Sequence, residues 1–161
     1  MTQYHNIPPV YDKNSRILIL GSFPSVKSRE AQFFYGHPQN RFWKVMSAVL
    51  SCDLPVTVQQ KKLMLLSHNI AVWDVIGSCE ITGSSDATIS SVVPNDIAGL
   101  AAETSVTRIF ANGATSYNMY KRYCRDNVGI EAVKLPSTSP ANAAFSLERL
   151  ISEWKSQILS Q

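Results

Sequence analysis

The ten residues from Phe34 to Trp43 read FYGHPQNRFW and gather aromatic rings, an imidazole, an amide and a guanidinium into one short stretch. Aromatic side chains can stack on a base, and an amide can read a base edge or orient a water molecule. A plainer alternative makes Phe34, Phe42 and Trp43 core residues and Asn40 the N-cap of the helix that follows, a position Asn favours. Residues 21–28, GSFPSVKS, suit a tight turn with exposed amides and hydroxyls. Residues 135–143, LPSTSPANA, place Ser137, Thr138 and Ser139 ahead of the last helix, where small hydroxyls and free amides can hold a phosphate. The alternative there is an ordinary loop with Asn142 or Ser146 as the helix cap. Neither GxGxxG nor GxxxxGK[ST] occurs, so dinucleotide and nucleoside-triphosphate sites are disfavoured, and GxSxG and paired-histidine motifs are absent as well.

The elements that must position these residues follow from hydrophobic periodicity. Residues 16–20, RILIL, form a continuous apolar run, which suits a strand buried on both faces of a parallel sheet. Phe42, Val45, Met46 and Val49 recur at helical spacing, and 57–68 reads as a second helix. Further strands are expected at 70–73, 108–111 and 131–135, with helices at 96–103 and 114–125. The final helix carries Leu147, Leu150, Ile151, Trp154 and Ile158 on one face. Residues 1–15 read as an extended arm containing Pro8-Pro9. Residues 77–94 hold two glycines, seven serines and threonines and Pro94, and read as a long loop. Loops of that length in compact domains are usually functional.

Strands alternating with helices predict an α/β fold of three layers, a central four-stranded parallel sheet flanked by helices, in one domain over 1–161. Right-handed crossovers then place the loops after Leu20, Trp73, Ala111 and Leu135 on one sheet edge, where ligands bind in such folds.

The chain has 161 residues, 45% hydrophobic and 17% charged, which is a folding composition. No apolar run is long enough to span a membrane, and no secretory signal is visible, so a cytoplasmic monomer is expected. Cys52, Cys79 and Cys124 are scattered, which argues against a disulfide framework and against a zinc or iron–sulfur site. A net charge of +3 permits a polyanion partner without demanding one. Five basic residues and one acid lie between Arg16 and Lys44, and Lys121, Arg122 and Arg125 form a second basic cluster.

Taken in order, GSFPS, YGHPQNRFW, VWD and LPSTSPANA resemble the uracil-DNA glycosylase superfamily over residues 16–155. HPQNRFW is similar to the segment that mismatch-specific uracil glycosylases write HPxNRFW. GSFPSxxS and LPSTSPAN resemble the hypoxanthine (deoxyinosine) branch more closely. The resemblance implies DNA containing a deaminated base as partner, hypoxanthine favoured, and a nucleoid-associated place in the cytoplasm if the source is bacterial or archaeal. It implies base flipping and N-glycosidic hydrolysis that leaves an abasic site, with neither metal nor cofactor. A mismatch-specific uracil glycosylase and a catalytically inactive DNA-binding module on the same fold are the alternatives.

Two departures bear on the branch. Relatives often place Asp or Asn where this chain has Phe23, which can neither activate nor position water and is left to line the base pocket. Relatives often open the last motif with His or Asn, where Leu135 offers no donor. In the deoxyinosine branch the catalytic amide moves to the HPxN segment, here Asn40, which can orient water through its carbonyl oxygen. His37 is a candidate proton source, with a structural role as the alternative. By the same carry-over Tyr35 stacks on the flipped base, and Ser22, Ser25, Ser137 and Ser139 hold DNA phosphates. Asp74 stands where relatives place a base-reading Asn. As an ionised acceptor it would suit the N1–H of hypoxanthine and repel the bare N1 of adenine; its alternative is to order the 77–94 loop. Asn112 and Asp86 are further candidates for the same wall. No large apolar side chain occurs over 139–142, so weak invasion of the base stack is expected.

Overall fold

The structure is a computed structural model that describes residues 1–160. In chain order its elements begin with β1 (Thr2–Tyr4), β2 (Ile17–Gly21), α1 (Val26–Ala31), α2 (Phe42–Val49), α3 (Val58–Ser67), β3 (Ile70–Asp74) and β4 (Ile76–Glu80). They continue with β5 (Ser90–Pro94), α4 (Ile97–Ala102), β6 (Arg108–Asn112), α5 (Ala114–Tyr123), α6 (Arg125–Val128), β7 (Ala132–Leu135) and α7 (Leu147–Ile158). The main sheet has the order β3-β2-β6-β7, and every pairing in it is parallel. This is the expected three-layer arrangement.

The apolar run of β2 is explained by burial on both faces. Leu18 and Leu20 belong to one core with Ile97, Ile109 and Tyr120, while Ile19 belongs to the other with Phe42, Met46, Leu150 and Trp154. Burying each such side chain contributes about 1.5–3 kcal/mol. Helices α2 and α7 pack on each other over the second core, where the Phe42 and Trp154 rings meet edge-on at 5.9 Å. On the opposite face Ser116 of α5 donates to Leu20 O at 2.7 Å and pins that helix to the central strand. Thr57 opens α3 with a capping box closed by Gln60, so that helix is set by local sequence despite its weak apolar face.

Three expectations are corrected. The arm over 1–15 is not a free extension: β1 pairs antiparallel with β4, and Val10 bridges Val72. Its apolar Ile7 and Val10 are buried, which anchors the strap to the body. The loop over 77–94 is largely a hairpin, β4 and β5, around a short helical turn at Asp86–Thr88. Serine and glycine are poor strand formers, and the strand conformation is supplied by backbone pairing with residues some 75 positions away. The turn after β2 also contains an unforeseen short helix, α1, capped by Ser25.

No helix of the described residues is long and apolar enough to cross a membrane.

Candidate active site

Because the main strands are parallel, their C-terminal ends open onto one edge, and there lies a cleft of about 350 Å³. Every residue singled out as a site candidate borders it: Asn40, His37, Phe23, Tyr35, Asp74, Asp86, Asn112, Ser22, Ser25, Ser137, Thr138 and Ser139.

One wall is a chain of neutral groups. Asn112, ending β6, accepts from Thr138 N and donates to Thr138 Oγ1, both at 3.0 Å. Thr138 is fully buried and donates its hydroxyl to Asn40 Oδ1 at 2.9 Å. The same Oδ1 accepts from Phe42 N at 2.9 Å, at the first residue of α2. A backbone N–H can only donate, so the atom facing Phe42 must be the amide oxygen. Both lone pairs of that oxygen are thereby occupied, and water cannot be oriented through it as anticipated. The free capacity of Asn40 is its two N–H donors. Asn40 both borders the cleft and satisfies the first amide of α2, although the residue at the helix boundary is Arg41.

Arg41 supports this wall from behind. Its guanidinium donates to Ser139 O and Asn142 O, both at 3.0 Å, and to Phe145 O. Its backbone N–H bonds Thr138 O. No carboxylate pairs with it among the described residues, so its charge stands uncompensated behind the Ser-rich loop. Within that loop Ser137 Oγ accepts from Ser139 N and Ser139 Oγ from Ala141 N, which leaves each hydroxyl proton available to an anion. Ser146, not Asn142, caps α7; Asn142 donates to Ser137 O instead. Ser25 Oγ is engaged as the cap of α1 and with Ser28 Oγ.

The other wall is charged. Asp74, at the end of β3, is buried, and its Oδ2 meets His5 Nε2 at 2.8 Å. His5 Nδ1 accepts from Ile7 N at 3.3 Å, so Nε2 carries the proton that Asp74 receives. Asp74 Oδ1 makes no hydrogen bond among the described residues and packs on Gly21. A side chain at Gly21 would collide with that oxygen and crowd the Tyr35 hydroxyl at 3.1 Å. Asp74 therefore helps define the cleft, while the hairpin is ordered from its other side by Asn95, which donates to Asp74 O and Ile76 O. Asp86 stands at the rim and accepts from Ser22 Oγ at 3.3 Å. Burial raises its pKa, the hydroxyls of Ser22 and Thr115 oppose that shift, and the charge of Asp74 adds to it.

Tyr35 spans the two walls. Its ring stacks on Phe42 with centroids 4.0 Å apart. Its backbone has φ 53, a left-handed conformation that costs a non-glycine residue about 1–2 kcal/mol. The hydroxyl is buried without a hydrogen-bond partner of proper geometry, although Asn112 and Asp74 are close. Burial, then the negative charge of Asp74, raises its pKa, and Asn112 lowers it. Phe23 is buried against His5, with the rings edge-on at 6.1 Å, and under the Arg29 guanidinium at 5.3 Å. His37 Nδ1 accepts from Gln39 N at 3.1 Å, so any proton it offers the cleft resides on Nε2. Arg41 and His5 were missed as site residues, and Thr138 was read as a phosphate-holding hydroxyl rather than as the partner of Asn40 and Asn112. Arg41 lies inside the HPQNRFW motif, whereas no local signal marks His5.

A family model for the uracil DNA glycosylase superfamily matches residues 8–159. A hypoxanthine DNA glycosylase of Methanosarcina acetivorans is 38% identical over 149 residues, covering 92% of this chain and 93% of that protein. A hypoxanthine DNA glycosylase of Methanosarcina barkeri is 34% identical over 149 residues, covering 91% and 92%. The solution NMR structure of a Methanosarcina acetivorans protein, presented as a candidate uracil DNA glycosylase, superposes with a TM-score of 0.80 at 36% identity and covers 98% of this chain and 96% of that one.

Proposed function

The chain belongs to the uracil DNA glycosylase superfamily, and from that membership we propose that it is a DNA repair glycosylase whose preferred base is hypoxanthine. It flips the deaminated nucleotide out of DNA and hydrolyses the N-glycosidic bond, leaving an abasic site. The observation that carries this reading is the pairing of an Asn40 amide with free donors on one wall and an Asp74 carboxylate with a free oxygen on the other.

A base within a duplex is out of reach, and unstacking it costs a few kcal/mol, less at a mispair. Ser22, Ser25, Ser137 and Ser139, through amides and hydroxyls, and the uncompensated charge of Arg41 offset that cost at the phosphates. Tyr35, already stacked on Phe42, offers an aromatic surface to the base, and such stacking is worth about 1–3 kcal/mol. Asp74 Oδ1 accepts the N1–H of hypoxanthine and is repelled by the bare N1 of adenine. As the bond breaks, positive charge grows on the sugar and water attacks C1′. An Asn40 N–H holds that water by one lone pair and leaves the other directed at the sugar, and positioning of this kind lowers a barrier by several kcal/mol. Uracil also carries an imino N–H, so a mismatch-type uracil activity is the second reading, favoured by HPQNRFW.

A panel of duplexes containing inosine, uracil, xanthine or thymine opposite each normal base, cleaved under single-turnover conditions, tests both readings. Inosine should be cut fastest, and faster in mispairs or single strands than in a stable I·C pair, because residues 139–142 supply no large wedge. Cleavage of uracil without inosine cleavage would replace the first reading by the second. No cleavage of any lesion would leave a binding module.

A further inference from the structure

The strap that precedes β2 is held to the body at both ends. β1 pairs with β4, Gln3 Oε1 accepts from Arg29 Nη1 at 3.2 Å, and Val10 exchanges backbone hydrogen bonds with Val72 at 3.0 and 2.9 Å. Between these anchors His5 N donates to Gly77 O at 2.8 Å. The His5 ring packs against Phe23 and Phe34, with centroids 6.1 and 6.0 Å away. Its Nδ1 accepts from Ile7 N, which leaves the ring proton on Nε2, 2.8 Å from Asp74 Oδ2. The two side chains are only 3% and 5% exposed, so water does not compete for that bond. The direction of the His5 N–H is thus set by the fold before any ligand arrives.

The consequence falls on the other oxygen of Asp74. A carboxylate turns readily about its last bond, and the His5 bond removes that freedom. Oδ1 is left beside Gly21 and the Tyr35 hydroxyl, two groups that border the cleft with Asp74 itself. Gly21 leaves it the space, because a side chain there would occupy the position of Oδ1. His5 stands behind Asp74 and does not border the cleft.

We propose that His5 is the positioning residue of the base-reading carboxylate: it holds Oδ2 so that Oδ1 is presented to the N1–H of hypoxanthine, which makes the N-terminal strap part of the recognition site. This rests on the hypoxanthine reading above. Without the His5 donor Asp74 can turn, and an unpaired buried charge is neutralised rather than tolerated. A protonated Asp74 donates to the bare N1 of adenine that the carboxylate repels, so both the speed on inosine and the selection against adenine depend on a residue that touches neither base.

The test compares wild type, His5→Gln, His5→Asn, Asp74→Asn and the double variant His5→Asn/Asp74→Asn. Each is assayed by single-turnover cleavage of inosine- and adenosine-containing duplexes and by a thermal melt. Glutamine carries an amide N–H at the reach of Nε2 and can still donate to Asp74. Asparagine carries its amide oxygen at the reach of Nδ1, so it keeps the bond from Ile7 N and is too short for Asp74. His5→Gln should stay within a few-fold of wild type on inosine. His5→Asn should lose at least about tenfold, the scale of a hydrogen bond to a charged group, and its preference for inosine over adenosine should narrow. In the Asp74→Asn background the change at His5 should add little further loss, because its effect passes through the carboxylate. Equal behaviour of His5→Gln and His5→Asn, whether both active or both impaired, would overturn the proposal, as would an undiminished His5→Asn loss in the double variant. Impaired Asp74→Asn beside wild-type behaviour in His5→Asn would overturn the role of His5 alone. Unaltered inosine cleavage and preference in Asp74→Asn, or no inosine cleavage by wild type, would overturn the base reading and this role together.

Discussion

The wall built from Asn40, Asn112 and Thr138 and the wall built from His5, Asp74 and Asp86 hold their polar groups in different ways. On the first, neutral groups saturate one another, with Asn112 bonded twice to Thr138 and Asn40 Oδ1 accepting twice. What remains is a set of N–H donors in a fixed direction. On the second, Asp74 at the end of β3 is held by a single bond from His5, just after β1, and Asp86 of the β4–β5 hairpin by a single bond from Ser22, just after β2. What remains is the free Oδ1 of Asp74. Both walls thus start from strand ends of the parallel sheet, and the appended antiparallel sheet with its flanking segment completes the second wall with His5 and Asp86. A satisfied neutral network resists rearrangement, whereas a carboxylate takes its protonation state from whatever packs beside it.

The largest effect should come from the first wall. Asn40→Ala should lower single-turnover cleavage at least about a hundredfold, or about 2.7 kcal/mol, and cost about 1 kcal/mol of stability as the Phe42 amide loses its partner. Asn40→Asp keeps both accepted bonds and loses both donors. It should melt close to wild type yet be nearly as slow as Asn40→Ala. Full activity in Asn40→Asp would break the contrast, because the oxygen rather than the N–H would then be the working atom.

On the second wall, His5→Ala leaves a buried carboxylate without its donor and should destabilise by about 1–3 kcal/mol in denaturant unfolding. It should also narrow the preference for inosine over adenosine, since Asp74 is no longer held as an acceptor. His5→Gln restores a donor and should recover much of both. A stability loss with undiminished base preference would assign His5 to the fold alone.

The smallest effect should be at the junction of the walls. Tyr35→Phe removes a buried hydroxyl that has no good partner and keeps the stack on Phe42. Stability should be unchanged or higher by less than about 1 kcal/mol, and cleavage should stay within a few-fold. A large loss of cleavage would mean that the hydroxyl finds its partner in the substrate.

Local pattern was enough for much of the first wall. RILIL is apolar throughout because β2 is buried on both faces, and Phe42, Val45, Met46 and Val49 repeat every three to four residues because α2 buries one face. Such signals lie within a few residues and survive without knowledge of the rest of the chain. The motifs GSFPS, HPQNRFW and LPSTSPAN marked the loops at the strand ends, and the family follows from them. Within those loops residue type alone could not say which atom of Asn40 is free. That was decided by Thr138, 98 positions away, and by the Phe42 amide.

The second wall was legible only in part: Asp74 and Asp86 stood out in the sequence, but the histidine that pairs with Asp74 did not. His5 and Asp74 are 69 positions apart, and a single histidine in an irregular segment carries no period. Residues 77–94 have the composition of a loop, and they become a hairpin because β1 offers β4 a partner for its backbone hydrogen bonds. By itself the sequence determined which loops meet at the sheet edge and which residue types they bring. Only the tertiary structure decided which donors remain free and which carboxylate is paired. Hydrogen-bond saturation and burial depend on neighbours distant in the chain, and those neighbours are defined only once the chain has folded.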